Sequence, residues 1–298
     1  MANLKEIRQR VRTVLTTQQM TRAMKMVSAA KLGRAQKNIE RMRPYSKKLQ
    51  EIMANIADSM NEAIDSPYAE VRSVEKVLLV VITSNRGLCA AFNTNVCKET
   101  LLAVETHYSA QKAAGNLSML AIGRKGFEFF KRRGYHMVGD KNHDVFLNLG
   151  YATVEPVAQM VMDAYRDGEY DRVDIIYNEF KNVALQFRRQ ERFLPVEAAP
   201  QKAATATSSS ADYIYEPNRA EILADLLPKS LRIQFYRAVL ESNAGEQGAR
   251  MMAMDNATTN AEELLRSLRL TYNRARQAAI TTEILEIVAG AEALAAAN

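Results

Sequence analysis

The sequence predicts a Rossmann-like α/β domain inserted between two long terminal helices that pair as an antiparallel coiled coil. Three observations carry this. Seam residues recur in alternating steps of three and four through the first segment and again through the last. Between these segments, short apolar runs alternate with helix-like stretches, the pattern of βαβ units and a mostly parallel sheet. The chain enters the middle region from one helix and leaves it by the other, so the two helices run in opposite directions.

The elements follow in order. The first helix occupies residues 1–62, with no Gly or Pro before Gly33. Its seam reads Leu4, Ile7, Val11, Val14, Gln18, Thr21, Lys25, Ser28, Leu32, Ala35, Ile39 and Met42, apolar at both ends and polar in the middle. Pro44 is expected to kink this helix mildly, because Leu49, Ile52, Ile56 and Met60 continue the period. The α/β domain spans 72–216. "EKVLLVVITSNRG" (75–87) is a continuous apolar run ending in a turn, as a buried strand requires. Strand-like "NLSMLAIG", "YHMVGD", "RVDIIYNEF" and "VALQFRRQERFLP" follow, separated by helix-like stretches. Residues 198–211, "AAPQKAATATSSSA", read as a flexible loop, and "DYIYEP" as one more edge strand. The last helix covers 217–298. Its seam reads Met254, Ala257, Ala261, Leu264, Leu268, Thr271, Ala275, Ala278, Thr282, Leu285 and Ala289, with Gly245 and Gly248 weakening it locally.

Composition narrows the function classes. Of 298 residues, 47% are hydrophobic and 25% charged, ordinary for a globular chain. Two cysteines, Cys89 and Cys97, imply neither a disulfide framework nor a zinc site. The start, "MANLKEIRQRVRTVL", has no apolar signal core and reads as part of a helix rather than a cleaved leader. No apolar run approaches the roughly 20 residues that span a bilayer. The first helix is the outlier. Up to Lys48 it carries thirteen Lys and Arg against Glu6 and Glu40, a surplus of +11 where the whole chain has +6. A solubilising surface intersperses both signs, so this imbalance predicts an acidic partner.

Candidate chemistry is sparse. "SNRGLCAAFN" (84–93) lies between a strand and a helix, where phosphates bind in α/β folds. One glycine makes a poor cradle, and neither Walker nor dinucleotide fingerprint is present. The stretch reads better as a tight turn, with Gly87 supplying an unusual backbone angle and Asn93 near the helix cap. Cys89 has no His or Asp in local register and reads as structural. His107, His136 and His143 lack metal-ligand spacing. "GRKGFEFFKRRG" (123–134) reads as an amphipathic helix burying Phe127 and Phe130, in preference to a nucleic-acid site. No catalytic, cofactor or metal residue is assigned.

Three stretches together are similar to the gamma subunit family of the rotary F-type ATP synthase. They are "LKEIRQRVRTVLTTQQMTRAMKMVSAAKL", "ITSNRGLCAAFN" and "RMMAMDNATTNAEELLRSLRLTYNRARQAAITTEILEIVAGAEAL", in that order and nearly end to end. The resemblance implies a non-catalytic shaft inside a ring of alternating alpha and beta subunits, its α/β domain holding the epsilon subunit and the c-subunit ring. It implies no cofactor, and contact with the membrane only through the c ring. Carried over by position, it implies ring contacts at Met24, Lys25, Arg250, Arg276, Gln277, Thr281 and Glu283. With no leader read at the start, it implies a bacterial chain peripheral to the cytoplasmic face of the cell membrane. A shaft turning in a sleeve is expected to present small and polar surfaces, since large apolar knobs would bury area at about 25 cal/mol per Å² and trap one orientation. Gln18 and Thr21 are expected opposite the run from Thr271 to Thr282. The competing readings are a basic coiled coil that binds nucleic acid, whose affinity would fall steeply with salt, and an enzyme using the 84–93 loop.

Overall fold

The computed structural model describes residues 4–59, 66–139, 142–183, 185–196 and 219–296. The elements are α1 (Leu4–Ser59), β1 (Val77–Ile82), α2 (Phe92–His107), α3 (Ser109–Ala113), β2 (Leu117–Ile122) and α4 (Arg124–Lys131). They continue with β3 (His136–Met137), α5 (Tyr151–Arg166), β4 (Arg172–Phe180), β5 (Gln186–Leu194) and α6 (Arg219–Ala296). The 198–211 loop and the "DYIYEP" strand lie outside the described residues. Contacts group the chain into two compact units: Met1–Ser28 with Met251–Asn298, and Ala29–Arg250.

In the second unit the five strands run in the order β3-β2-β1-β4-β5. β1 pairs parallel with β2 and β4, β2 pairs parallel with β3, and β4 with β5 is the one antiparallel pair among the described residues. β1, VLLVVI, has alternating side chains on opposite faces, and all six are buried. Val77, Leu79 and Val81 face α2 and α4, packing with Val96, Val104 and Phe130. Leu78, Val80 and Ile82 face the other core, where α5 adds Val161 and Tyr165 and α6 adds Leu231 and Phe235. The sheet is therefore covered on both faces, which is why its central strand tolerates no polar residue. α6 presents two glycines, Gly245 and Gly248, toward the β4–β5 hairpin, with room for little more than a Cβ. A Cβ on Gly245 would stand 3.4 Å from Phe92, and one on Gly248 3.4 Å from Phe180. The helix runs through both glycines unbroken.

In the first unit, α1 and α6 pack antiparallel. Arg8 donates to the Tyr272 hydroxyl at 2.8 Å, the Thr21 and Thr258 hydroxyls bond at 2.8 Å, and Lys25 reaches Asp255 at 2.6 Å. The α1 seam falls as expected: none of its twelve positions is exposed. The α6 seam is corrected. The covered positions are Met254, Thr258, Ala261, Leu265, Leu268, Tyr272, Ala275 and Ala279, whereas Leu264, Thr271 and Ala278 are exposed. The alternate expected positions up to Ala278 are thus off by one residue, and the last three, Thr282, Leu285 and Ala289, are exposed with all their neighbours. Thr21 meets Thr258 rather than the 271–282 run. Extending the same register places Leu4 level with Arg276, so α6 beyond that point has no α1 neighbour among the described residues.

Candidate functional site

Two places concentrate polar function. The first is the end of β1 in the α/β unit. Gly123 sits at φ 116° with its Cα against the Thr83 carbonyl, so that β2 can turn into α4 beside β1. The first amides of α4 point at this turn, where an α/β fold would offer them to an anion. Here they are taken: Arg124 N–H donates to Asn85 Oδ1 (3.0 Å), Lys125 N–H to the Ser84 carbonyl (3.1 Å) and Gly126 N–H to Thr83 Oγ1 (2.8 Å). Asn93 lies near the cap of α2 as expected, as its second residue, and accepts from the Ser84 amide at 2.9 Å. The 84–93 stretch is therefore a structural turn whose first residues accept from the α4 amides that an anion would otherwise use.

Its backbone departs from expectation. Gly87 does not take the left-handed conformation; Leu88 (φ 63°) and Ala90 (φ 48°) do. Such angles are unfavourable for residues with a Cβ and persist only where the surroundings impose them. Arg250, from α6, reaches the carbonyls just before these residues. Its guanidinium donates to the carbonyls of Arg86 (3.1 Å) and Gly87 (3.3 Å) and pairs with Glu246 at 2.6 Å. Both charged side chains are buried, and burial pushes the Glu246 carboxyl up against the opposing pull of Arg250. Cys89 is buried at 1% exposure, with Asn93 Nδ2 donating to its sulfur at 3.3 Å. Burial raises its thiol pKa, the reverse of an activated nucleophile. Cys97 is buried too, its pKa pushed up to about 11 by desolvation.

The second place is the helical pair. Met24 and Lys25 are half-buried there, and Lys25 is engaged by Asp255. Arg276, Gln277, Thr281 and Glu283 are all exposed, on the stretch of α6 that α1 does not cover. Arg276 and Glu283 make no ion pair among the described residues. Large apolar side chains share this stretch: Ile280, Ile284, Leu285, Ile287 and Val288 are 47–71% exposed. The expectation of only small and polar surfaces is thereby corrected. Of the thirteen basic residues of α1, all whose side chains are described are exposed except Lys25.

The remaining candidates stay apart. His107, His136 and His143 lie on separate elements, and no group of potential metal ligands forms among the described residues. In α4 the buried residues are Gly126 and Phe130; Phe127 is only half-buried, beneath Lys131 at 5.1 Å. Arg133 lies 3.6 Å over Phe129. The cations in and just after this helix are thus engaged locally, Lys131 and Arg133 by its rings and Arg124 and Lys125 by Glu128. Among the described residues no helix is long and apolar enough to cross a membrane. Arg250 and Lys25 are site residues whose neighbourhoods the sequence concealed, since the carbonyls held by Arg250 are more than 160 positions away and Asp255 is 230 positions from Lys25.

Comparison with known proteins decides the family. The ATP synthase family model matches residues 3–294. A gamma chain from Cytophaga hutchinsonii is 51% identical over 294 residues, covering 99% of both chains. The chain belongs to the ATP synthase gamma chain family. The gamma chain of Chlorobium chlorochromatii is 49% identical, again over 99% of both chains. Among solved structures, the fold is shared with a chain of the Euglena gracilis mitochondrial ATP synthase (TM-score 0.64, 18% identity, covering 98% of this chain and 94% of that one). It is shared also with a chain of the Tetrahymena thermophila central stalk and c-ring assembly (TM-score 0.56, 24% identity, 80% and 99%). Nothing in these likenesses favours a nucleic-acid-binding coiled coil.

Proposed function

We propose that the chain is the central rotating shaft of a bacterial proton-translocating ATP synthase, coupling rotation of the c-subunit ring to ATP synthesis or hydrolysis on the alpha and beta subunits. It is a non-catalytic subunit in this reading. Its α/β unit holds the epsilon subunit and the c ring, and the complex lies on the cytoplasmic face of the cell membrane, touched only through the c ring.

The observation that carries the reading, beside the end-to-end family match, is the uncovered stretch of α6. Polar Arg276, Gln277, Thr281 and Glu283 and apolar Ile280, Ile284 and Leu285 alternate around a helix without an α1 neighbour. A lone helix with apolar groups on several faces is stabilised by being enclosed. A ring of similar subunits encloses it alike at every angle. Apolar burial that is equal at every angle holds the tip on axis without trapping one orientation. Polar contacts at Arg276, Gln277, Thr281, Glu283, Met24 and Lys25 then supply the angular preference. The exposed cations of α1 add attraction to acidic loops, screened over about 8 Å at physiological salt. Arg250, spent inside the chain, contributes through the loop it holds.

Reconstitution tests this. The purified chain alone is expected to hydrolyse no ATP. Added to alpha, beta and epsilon subunits on membranes stripped of the soluble sector, it is expected to restore ATP-driven proton pumping. Hydrolysis by the chain alone, or pumping that does not depend on it, would count against the proposal.

A further inference from the structure

We propose that Arg250 and Glu246 are positioning residues that hold the 84–91 turn in a single closed conformation, burying Cys89 and directing Leu88 outward. The inference stands independently of the rotor reading. Three observations meet at this turn. Leu88 and Ala90 occupy left-handed backbone that neither favours, and no glycine relieves them. The carbonyls just before them, Arg86 and Gly87, both accept from one guanidinium. That guanidinium comes from a helix distant in sequence and is itself fixed by a buried carboxylate one helical turn earlier.

The geometry assigns each part a task. Glu246, at i−4 on the same face of α6, aims the guanidinium and balances its charge. One arm of the fork, Nη2, then donates to both successive carbonyls while the other, Nη1, holds Glu246, a division of partners across a rigid plane that a single ammonium could not reproduce. Ser84 Oγ donates to the Arg86 carbonyl as well, at 2.6 Å, so this oxygen is pinned from both sides. With the carbonyls held, Leu88 projects to solvent at 65% exposure while Cys89 turns inward to 1%. The turn is therefore tied to Glu246 and Arg250, although it belongs to the sheet by sequence.

The two cysteines provide the readout. Cys89 reports opening of the turn, and Cys97, on the buried face of α2, reports unfolding of the core. In the full chain, maleimide should label both slowly. Arg250→Gln should raise the rate at Cys89 by about tenfold or more, the scale on which losing a charge-assisted hydrogen bond shifts a local opening equilibrium. Cys97 should stay slow. Arg250→Lys, which keeps the charge beside Glu246 but not the fork, should give a smaller, still selective increase. A pair that merely stabilised the fold would raise both rates together. Equal acceleration at both cysteines in Arg250→Lys, or an unchanged Cys89 rate in either variant, overturns the proposal.

Discussion

β1 in the α/β unit lies at 1% exposure or less along its whole length, whereas the helical pair of the other unit covers its seam with Thr21, Ser28, Thr258 and Ala261 as much as with Ile7, Met254 and Leu265. One unit is held by interdigitating apolar layers on both faces of a sheet. The other is held by a narrow strip of small and polar contacts, with one long stretch of α6 left uncovered. The difference teaches where stability and function reside. A packed body can carry load, and a thinly sealed helical pair leaves its surface free for partners.

The largest expected effect tests the packed side. Phe130→Ala removes a fully buried ring that meets Phe129 and Tyr135 edge-on at 5.0 and 5.6 Å. It should cost about 3–5 kcal/mol in denaturant unfolding. A loss under about 1 kcal/mol would mean that the sheet is not the stable body.

Alkaline titration comes next. The Cys97 thiol ionises near 9.0 when unfolded and at about 11 when folded. The stability this represents is fully present below pH 9 and is lost as pH rises through 11. The protein should therefore lose about 2–3 kcal/mol more across that window than a Cys97→Ala variant compared at the same pH values. Cys89, raised in the same direction, adds to the fall in both chains. Parallel pH curves for the two proteins would refute the buried thiol.

Leu265→Ala sharpens the contrast. Leu265 is the largest aliphatic buried on the corrected seam beside Ile7 and Met254. Its loss should cost about 2 kcal/mol, but locally: amide exchange should quicken in residues 4–28 and from 251 onward while the sheet amides keep their protection. Uniform acceleration through the sheet would erase the distinction between the units.

The smallest effect concerns the hydroxyl pair. Thr21 and Thr258 also bond to the carbonyls of Gln18 and Met254, so neither is orphaned when the other is replaced. A double-mutant cycle with Val at both positions should give a coupling of about 0.5–1 kcal/mol. A coupling above about 2 kcal/mol would make the polar seam a principal source of stability.

Legibility in the sequence followed the same divide. β1 was readable because burial on both faces demands an unbroken apolar run. The α1 seam was readable because Leu, Ile and Val mark its ends. The α6 seam was misread by one residue at alternate positions because Ala257 beside Thr258, or Ala278 beside Ala279, offers no hydrophobic contrast to set the phase. At the 84–91 turn, composition points to Gly87 as the unusual backbone position, yet Leu88 and Ala90 hold it. Arg250 bonds the carbonyls of this turn, and no local pattern signals a partner from so far along the chain. The apolar residues of the α6 tip were visible, but their exposure follows from the pairing register, which only the contacts at Arg8, Thr21 and Lys25 establish.

The central claim is that this chain turns as a shaft driven by chemistry on other subunits. It is tested most directly by fixing the alpha–beta ring to a surface and attaching a bead to a cysteine introduced at exposed Lys112 on the α/β unit. The native thiols, being buried, should leave the label specific. On addition of ATP, the account predicts sustained rotation in one direction whose rate follows hydrolysis. Hydrolysis at the normal rate with a bead that does not turn would contradict it.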